Sequence, residues 1–468
     1  MNRILPLLLL LITTLQASAA KVKYPGERCY IFRYTLRDKA ATTFSLDRPQ
    51  RFLSRKSLER RERQGLTVDS TDLPVCRHYV RQFETDGAQV VGTSRWQNTV
   101  VVASADSLLL VRLASLPIVS KSRCVFVSPD SIDKQDDLRL NVRETFNKWD
   151  SVKNDPLGMA RPQIEMLRGD SLHEAGLRGQ GMTIAVLDGG FQNYDRIPAL
   201  RRVRIEGVRE FVHLPSTSET ARSKAFQRID HGTKVLSALA AQAPEVTMGT
   251  APEASFWLLR CEDPLTEQPV EEDYWTMAAE WADSVGVDII NSSLGYYKYD
   301  NGTDNYRLQD LNGHSSFVSR SASLLARKGI VLCNSAGNSG MGQWKKIGVP
   351  ADAPDILTVG AVNKERQIAT FSSIGPSQDL RVKPDVVAMG AGTALISGRG
   401  TLVHDMGTSF STPLVCGLVA CLWQGLREKT ALEIIDLVRR SADQYNEPTN
   451  IYGYGLPNFW KAYTQCKP

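Results

Sequence analysis

Beyond about Gln163, short β-branched apolar runs alternate with longer stretches of helical spacing, the pattern of strands covered on both faces by crossover helices. The strand runs are Thr183 to Leu187, Val203 to Ile205, Phe256 to Leu259, Asp288 to Ser292, Ile330 to Cys333 and Ile356 to Val359. The helical stretches are Lys234 to Ala241, Glu271 to Val285, Ser316 to Lys328 and Ser411 to Leu426. This order specifies an α/β fold on a doubly wound parallel sheet, and sites in open sheets of that kind form beyond the carboxyl ends of the strands. From Cys29 to Val127 the pattern differs. A strand over Tyr30 to Leu36 precedes a charged helix near Phe52 to Gln64, strands around Gln89 to Ser94 and Thr99 to Ala103, a helix near Asp106 to Ala114, and a strand over Ile118 to Val127. That is the ferredoxin-like order of a small α+β unit.

The segments outside these two units carry their own signals. Met1 to Ala20 has an early Arg3, an apolar run from Ile4 to Ile12 and the small-x-small triplet Ala17-Ser18-Ala19, which predicts a cleavable secretory signal. The run is shorter than the roughly 20 residues that cross a bilayer, so no stable membrane anchor is expected. The mature protein is expected to be exported, whether secreted, periplasmic or at the cell surface. Ser128 to Pro156 is polar and carries Asp130, Asp133, Asp136, Asp137, Asp150 and Asp155, as an exposed connection with a processing site would. The expected divisions are residues 1–20, 21–128, 129–160 and 161–468.

Composition narrows the function classes. A chain of 468 residues with 42% hydrophobic content can bury two large cores. Its net charge is only +5 and no long stretch is uniformly basic, so no nucleic-acid partner is expected. Arg51, Arg55, Lys56, Arg60, Arg61 and Arg63 crowd the first helix, but Glu59 and Glu62 stand among them, and the reading is a solvated face. The eight cysteines show no paired CxxC zinc spacing. Cys416 and Cys421 read as small core residues, and Cys29 and Cys124 would form a bridge if their strands set them side by side.

Three polar residues stand where chemistry is done. Asp188 ends the run Thr-Ile-Ala-Val-Leu and is followed by Gly189 and Gly190, at the carboxyl edge of a strand. His231 opens a helix in Asp230-His231-Gly232-Thr233-Lys234-Val235, a setting that His78, His173, His213 and His314 lack. Ser409 lies in Gly407-Thr408-Ser409-Phe410-Ser411-Thr412-Pro413, before the apolar stretch Leu414 to Trp423, with Pro413 expected in the first helical turn. A helix N-terminus there favours negative charge. Asn338, in Asn334-Ser335-Ala336-Gly337-Asn338 after a strand, offers an amide to an oxyanion beside the N–H of Ser409. Taken singly, each is a turn former, a cap or a loop residue. Together they supply what acyl transfer needs: a nucleophile, a base, a group that fixes the base and donors for developing charge. The order Asp, His, Ser is that of subtilisins, and Ser411 occupies the last glycine position of the G-x-S-x-G elbow, which disfavours an α/β-hydrolase.

The segments Ile184 to Gly190, Asp230 to Val235, Ile289 to Gly295, Ser335 to Asn338, Gly407 to Pro413 and Lys383 to Val386 resemble the signatures of the subtilisin-like serine proteases, over roughly Gln163 to Tyr463. The resemblance implies a secreted endopeptidase with catalytic Asp188, His231 and Ser409, the oxyanion amide of Asn338, and a substrate-pairing strand at Ser293, Leu294 and Gly295. It implies that residues 21–128 are a propeptide that assists folding and inhibits the enzyme until removed. No metal ligand is assigned and no cofactor is required for the chemistry, while structural calcium stays open. The expected partners of this monomer are protein or peptide substrates and its own propeptide. Gly189 for Ser or Thr, Lys234 for a second histidine and Phe410-Ser411-Thr412 for Met-Ala-Ala/Ser mark a divergent branch. They leave open an inactive, peptide-binding member of the family. Trp344, Lys345 and Lys346 either edge the specificity pocket or form a solvated loop, and His404 is read as structural.

Overall fold

The computed structural model describes residues 21–25, 27–133, 142–143, 145–213, 223 and 226–466. Met1 to Ala20, read above as an export signal, and the middle of the expected linker, with Asp136 and Asp137, lie outside them. The N-terminal unit contains β1 (Tyr30–Leu36), α1 (Arg55–Arg63), α2 (Arg77–Arg81), β2 (Gln89–Ser94), β3 (Thr99–Ser104), α3 (Ser107–Leu113) and β4 (Val119–Val127). Its four strands form an antiparallel sheet in the order β2-β3-β1-β4. Side chains alternate across it as the pleat requires. Val100 and Val102 pack with Tyr34, Leu110 and Leu113 under α3, whereas Val101 and Ala103 point the other way. That second face is not solvated. With Ile31, Val125 and Phe126 it joins Tyr274, Met277 and Ala278 of the larger domain in one core.

The basic helix corrects one expectation. Ser57, Arg60, Arg61 and Gln64 fall at helical spacing on one buried face, and Glu59 and Glu62 lie on the exposed one. Arg60 and Arg61, each 1% exposed, reach Asp283 of the larger domain, where Arg95 also binds at 2.6 Å. Arg61 bridges at 3.0 Å to Asp72, which in turn meets Lys328 at 2.9 Å. A mixed-charge helix therefore has one wet face and one docked face. The possible disulfide is absent: Cys29 sits opposite Ser128 and Cys124 opposite Phe32, out of register, and both are free thiols. Cys416 and Cys421 are buried as expected.

The larger domain runs through β5 (Thr183–Asp188), β6 (Arg204–Glu210), α4 (His231–Ala240), β7 (Ser255–Arg260), α5 (Val270–Val285), β8 (Ile289–Ser292), β9 (Val331–Ser335), β10 (Leu357–Val362), β11 (Val386–Met389), the hairpin β12 (Ala391–Ile396) and β13 (Leu402–Met406), and α6 (Thr408–Gly425). Seven parallel strands lie in the order β11-β10-β9-β8-β5-β7-β6. Both faces of the inner strands are covered, which is why these strands read as short apolar runs. Ile184 and Val186 of β5 face a core with Val235 and Leu239 of α4 and Leu414 and Leu418 of α6. Ala185 and Leu187 face the opposite core with Tyr274 and Ala278 of α5. Strand β6 is longer than expected because, at the sheet edge, it alternates exposed and half-buried residues. The expected helix Ser316 to Lys328 is broken into Phe317–Ala322 and a 3-10 turn, Ala326–Lys328. Chain order reverses between β5 and β8, so a crevice opens at their carboxyl ends. No helix among the described residues is long and apolar enough to cross a membrane.

Candidate active site

Asp188, the last residue of β5, is wholly buried, and one carboxylate oxygen accepts the N–H of Gly189 at 2.8 Å. Both oxygens reach Nδ1 of His231, at 2.9 and 3.0 Å. A carboxylate can only accept here, so Nδ1 carries the proton and Nε2 is left free. His231 is the first residue of α4, and 33% of its side chain stays exposed. Burial alone would depress its pKa, but the charge and hydrogen bond of Asp188 outweigh that cost. Glu262 adds to them, Lys234 opposes, and the imidazole is raised to about 9.

Ser409 is the second residue of α6, which begins at Thr408, earlier than expected. Pro413 is thus in the second turn rather than the first. The consequence is local. A proline has no N–H to give the carbonyl four residues back, and that carbonyl belongs to Ser409. It accepts instead from Oγ of Ser293 at 2.9 Å, while Oγ of Ser409 donates to the Ser293 carbonyl at 3.3 Å. The helix carrying the serine is thereby tied to the segment leaving β8. No hydrogen bond joins the Ser409 hydroxyl to His231 among the described residues. Such bonds are often long in unliganded sites and close when substrate binds.

The amide of Asn338 is oriented by Thr408, whose N–H and Oγ1 both donate to its Oδ1 at 2.9 Å. Its NH₂ is therefore the end left for the cavity. The N–H of Ser409 is among the first four donors of α6, which have no acceptor within the helix. A cavity of about 350 Å³ is lined by His231, Ser293, Leu294, Gly295, Asn338 and Ser409, with Glu262 and Tyr297. Asp188 stands behind His231. All seven predicted residues are thus brought to one place. Tyr296 pairs with Val349 through its N–H at 2.7 Å and its carbonyl at 2.9 Å, fixing the segment beyond Gly295. The N–H and carbonyl of Gly295 have no partner among the described residues, so this edge can pair with an extended peptide.

The departures from the family pattern have local causes. Lys234 binds Asp405 at 3.0 Å and Asp230 at 3.4 Å, pinning β13 to the start of α4. Phe410 lies 5.6 Å from the His231 ring, and a Cβ at Gly189 would come within 3.2 Å of Ile229 and 3.3 Å of Glu262. Trp344 stacks on the cavity residue Tyr297 at 4.9 Å, whereas Lys346 turns to the Gly375 carbonyl at 2.5 Å. His173 is buried against the Thr250 carbonyl, and His404 is exposed on β13. Glu262 and Tyr297 were missed in the sequence. Arg260 pairs with Asp188 in the parallel register, so Glu262 follows a neighbouring strand end, the same address that singled out Asp188.

The model of the Subtilase family matches residues 179–455, and that of the Peptidase S8 propeptide domain, Bacteroidota, matches residues 32–140. Subtilisin NAT of Bacillus subtilis subsp. natto is 30% identical over 331 residues, 70% of this chain and 76% of its own length. Subtilisin E of Bacillus subtilis (strain 168) gives the same figures. The alkaline protease of Alkalihalobacillus alcalophilus is 25% identical over 353 residues, 75% of this chain and 80% of its own. With one family matched over more than half of the chain and its propeptide domain ahead of it, the chain belongs to the subtilases, the subtilisin-like serine endopeptidases.

Proposed function

We propose that the chain is an exported zymogen that hydrolyses peptide bonds through a triad of Asp188, His231 and Ser409. The observation that carries this reading is the 2.9 Å contact from His231 Nδ1 to Asp188, which leaves Nε2 for a cavity that Ser409 also lines. Ser409 Oγ attacks the substrate carbonyl and gives its proton to Nε2. Asp188 steadies the imidazolium, and the Asn338 amide and the Ser409 N–H receive the oxyanion. Collapse of the tetrahedral adduct breaks the C–N bond, and the proton on Nε2 leaves with the amine. Water then enters, loses a proton to Nε2 and attacks the acyl carbon; the bond to Ser409 Oγ breaks, Nε2 returns the proton to Oγ, and the acid leaves. Residues 1–20 direct export, and a cut within 129–160 separates residues 21–128 from a monomeric enzyme.

A fluorophosphonate probe tests the chemistry directly. It should label the processed wild-type protein and not Ser409→Ala, with proteolysis lost in parallel. Processed protein inert to both probe and protein substrates would remove the assignment. N-terminal sequencing of the active form should begin within 129–160, and any other start overturns that boundary.

A further inference from the structure

The loop from β7 into α5 holds three glutamates whose side chains converge. One carboxylate oxygen from each of Glu262, Glu267 and Glu271 lies within 4.8 Å of the other two. Glu271 is 0% exposed. Its Oε1 accepts the Asp263 N–H at 3.2 Å, and its Oε2 has no partner. A second orphan comes from a different element. Tyr296, just past β8, is also 0% exposed, its hydroxyl is unpartnered, and the charges acting on it are Glu262, Glu271 and Glu267 with Cys261.

Among the described residues two basic groups reach Glu262 with their charge, and both are engaged elsewhere: His231 is held by Asp188 at 2.9 Å. Arg260, whose charge reaches Glu262, is committed to Glu210 at 2.9 Å, Asp263 at 3.5 Å and the Gly189 carbonyl at 2.8 Å. Asp188 and Asp263 act on Glu262, and Asp300 acts on Glu267, all with the wrong sign. A carboxylate oxygen sealed from water without a partner, as Oε2 of Glu271 is, calls for a proton or a cation.

We infer that Glu262, Glu267 and Glu271 bind one divalent cation of calcium size beside the substrate cleft. The donors are all oxygen, which selects a hard ion. Three carboxylates from one loop suit Ca²⁺, which surrounds itself with many protein oxygens, better than Mg²⁺, which is usually held by one or two carboxylates and keeps several waters. A lysine or arginine of a substrate fits less well, because only Glu262 lines the cavity and Glu271 is sealed from it. The ion would tie the rim of the cleft to the start of α5. The site stands independently of the catalytic reading. Zinc-type cysteine spacing could not reveal it.

The test uses the full chain carrying Ser409→Ala, so that it stays whole, titrated with Ca²⁺ by calorimetry and with Tb³⁺ by luminescence sensitised through nearby tyrosines. Glu267→Gln, which keeps the side chain's shape at a half-buried position, should weaken one equivalent at least tenfold. A lost ligand costs no less than the about 10–100-fold of an outer-sphere partner. The double variant Glu267→Gln/Glu271→Gln should bind one equivalent fewer, and Ca²⁺ should raise the melting temperature of the parent more than that of either variant. Identical titrations in parent and Glu267→Gln, or no Ca²⁺ binding at all, overturn the inference. So does an unchanged titration accompanied by loss of cleavage next to basic residues in an otherwise active Glu267→Gln enzyme, which would make the cluster a substrate subsite.

Discussion

Asn338 is held at its oxygen by Thr408, so its NH₂ is set before any substrate arrives. Such a donor acts mainly where negative charge develops. Asn338→Ala is therefore expected to leave KM nearly unchanged and to lower kcat by about 10² to 10³, a scale measured on a subtilisin and borrowed here. Unchanged kcat would take Asn338 out of the mechanism. His231 makes a second prediction at this scale. It must be neutral to act as a base, and Asp188 raises it from 6.5 to about 9 against the effect of burial. The acid limb of kcat/KM should accordingly lie above pH 6.5, with activity rising into the alkaline range. A pH profile with an acidic optimum would contradict this. The residues proposed for this work were legible in the sequence because each stands in a short motif at the end of an element. Glu262 was not. Its importance depends on β7 lying beside β5, which no local pattern records.

Pro413 acts through an element. By withholding one N–H it frees the Ser409 carbonyl for Ser293, which joins the helix of the proposed nucleophile to the proposed substrate-pairing segment. Pro413→Ala restores the donor and should let the helix compete for that carbonyl. A hydrogen bond of this kind is worth about 0.5–1.5 kcal/mol, so a fall of a few-fold in kcat/KM is expected with the fold intact. Ser293→Ala should cost a similar amount, and the double variant should cost little more than either single one, since both remove the same link. Full additivity in kcat/KM would show that the two residues are not coupled. The sequence predicted this helix but misjudged its start. Proline favours first turns, and only the freed carbonyl's outside partner explains a proline one turn further in. Strands β5, β8 and β9 were legible for the opposite reason: they are buried throughout, and their apolar runs give way to polar residues only toward the ends, at Thr183 and Asp188, Asn291 and Ser292, and Asn334 and Ser335.

At the scale of the whole molecule, the N-terminal unit is held by a shared apolar core and by a buried charge cluster centred on Asp283. Burial would raise that carboxyl, but Arg61, Arg60 and Arg95 together hold it below the usual carboxylate range. A depressed carboxyl contributes stability above its unfolded pKa and loses it only as pH falls through the lower folded value. Mild acid should therefore not release the propeptide through Asp283. In the Ser409→Ala precursor, Asp283→Ala should cost about 3–5 kcal/mol in denaturant unfolding, as expected when three buried guanidinium groups lose their partner. The mature enzyme, freed of those groups, should shift far less, and equal losses in both forms would exclude a role in docking. None of this was legible in the sequence, where the basic run resembled a solvated face. The carboxylate it meets lies far along the chain, and mixed charge does not say which side of a helix is covered.

That arrangement has a result for the moment of activation. A propeptide that leaves carries Arg60, Arg61 and Arg95 away and bares Asp283 to water, so enzyme and severed fragment part with opposite local charge. Long-range attraction of that sign favours recapture in dilute buffer and fades as ionic strength rises. Rebinding of the freed fragment should be slowed by salt, which would let the ionic composition of the surroundings set how quickly a newly cut molecule becomes a working protease.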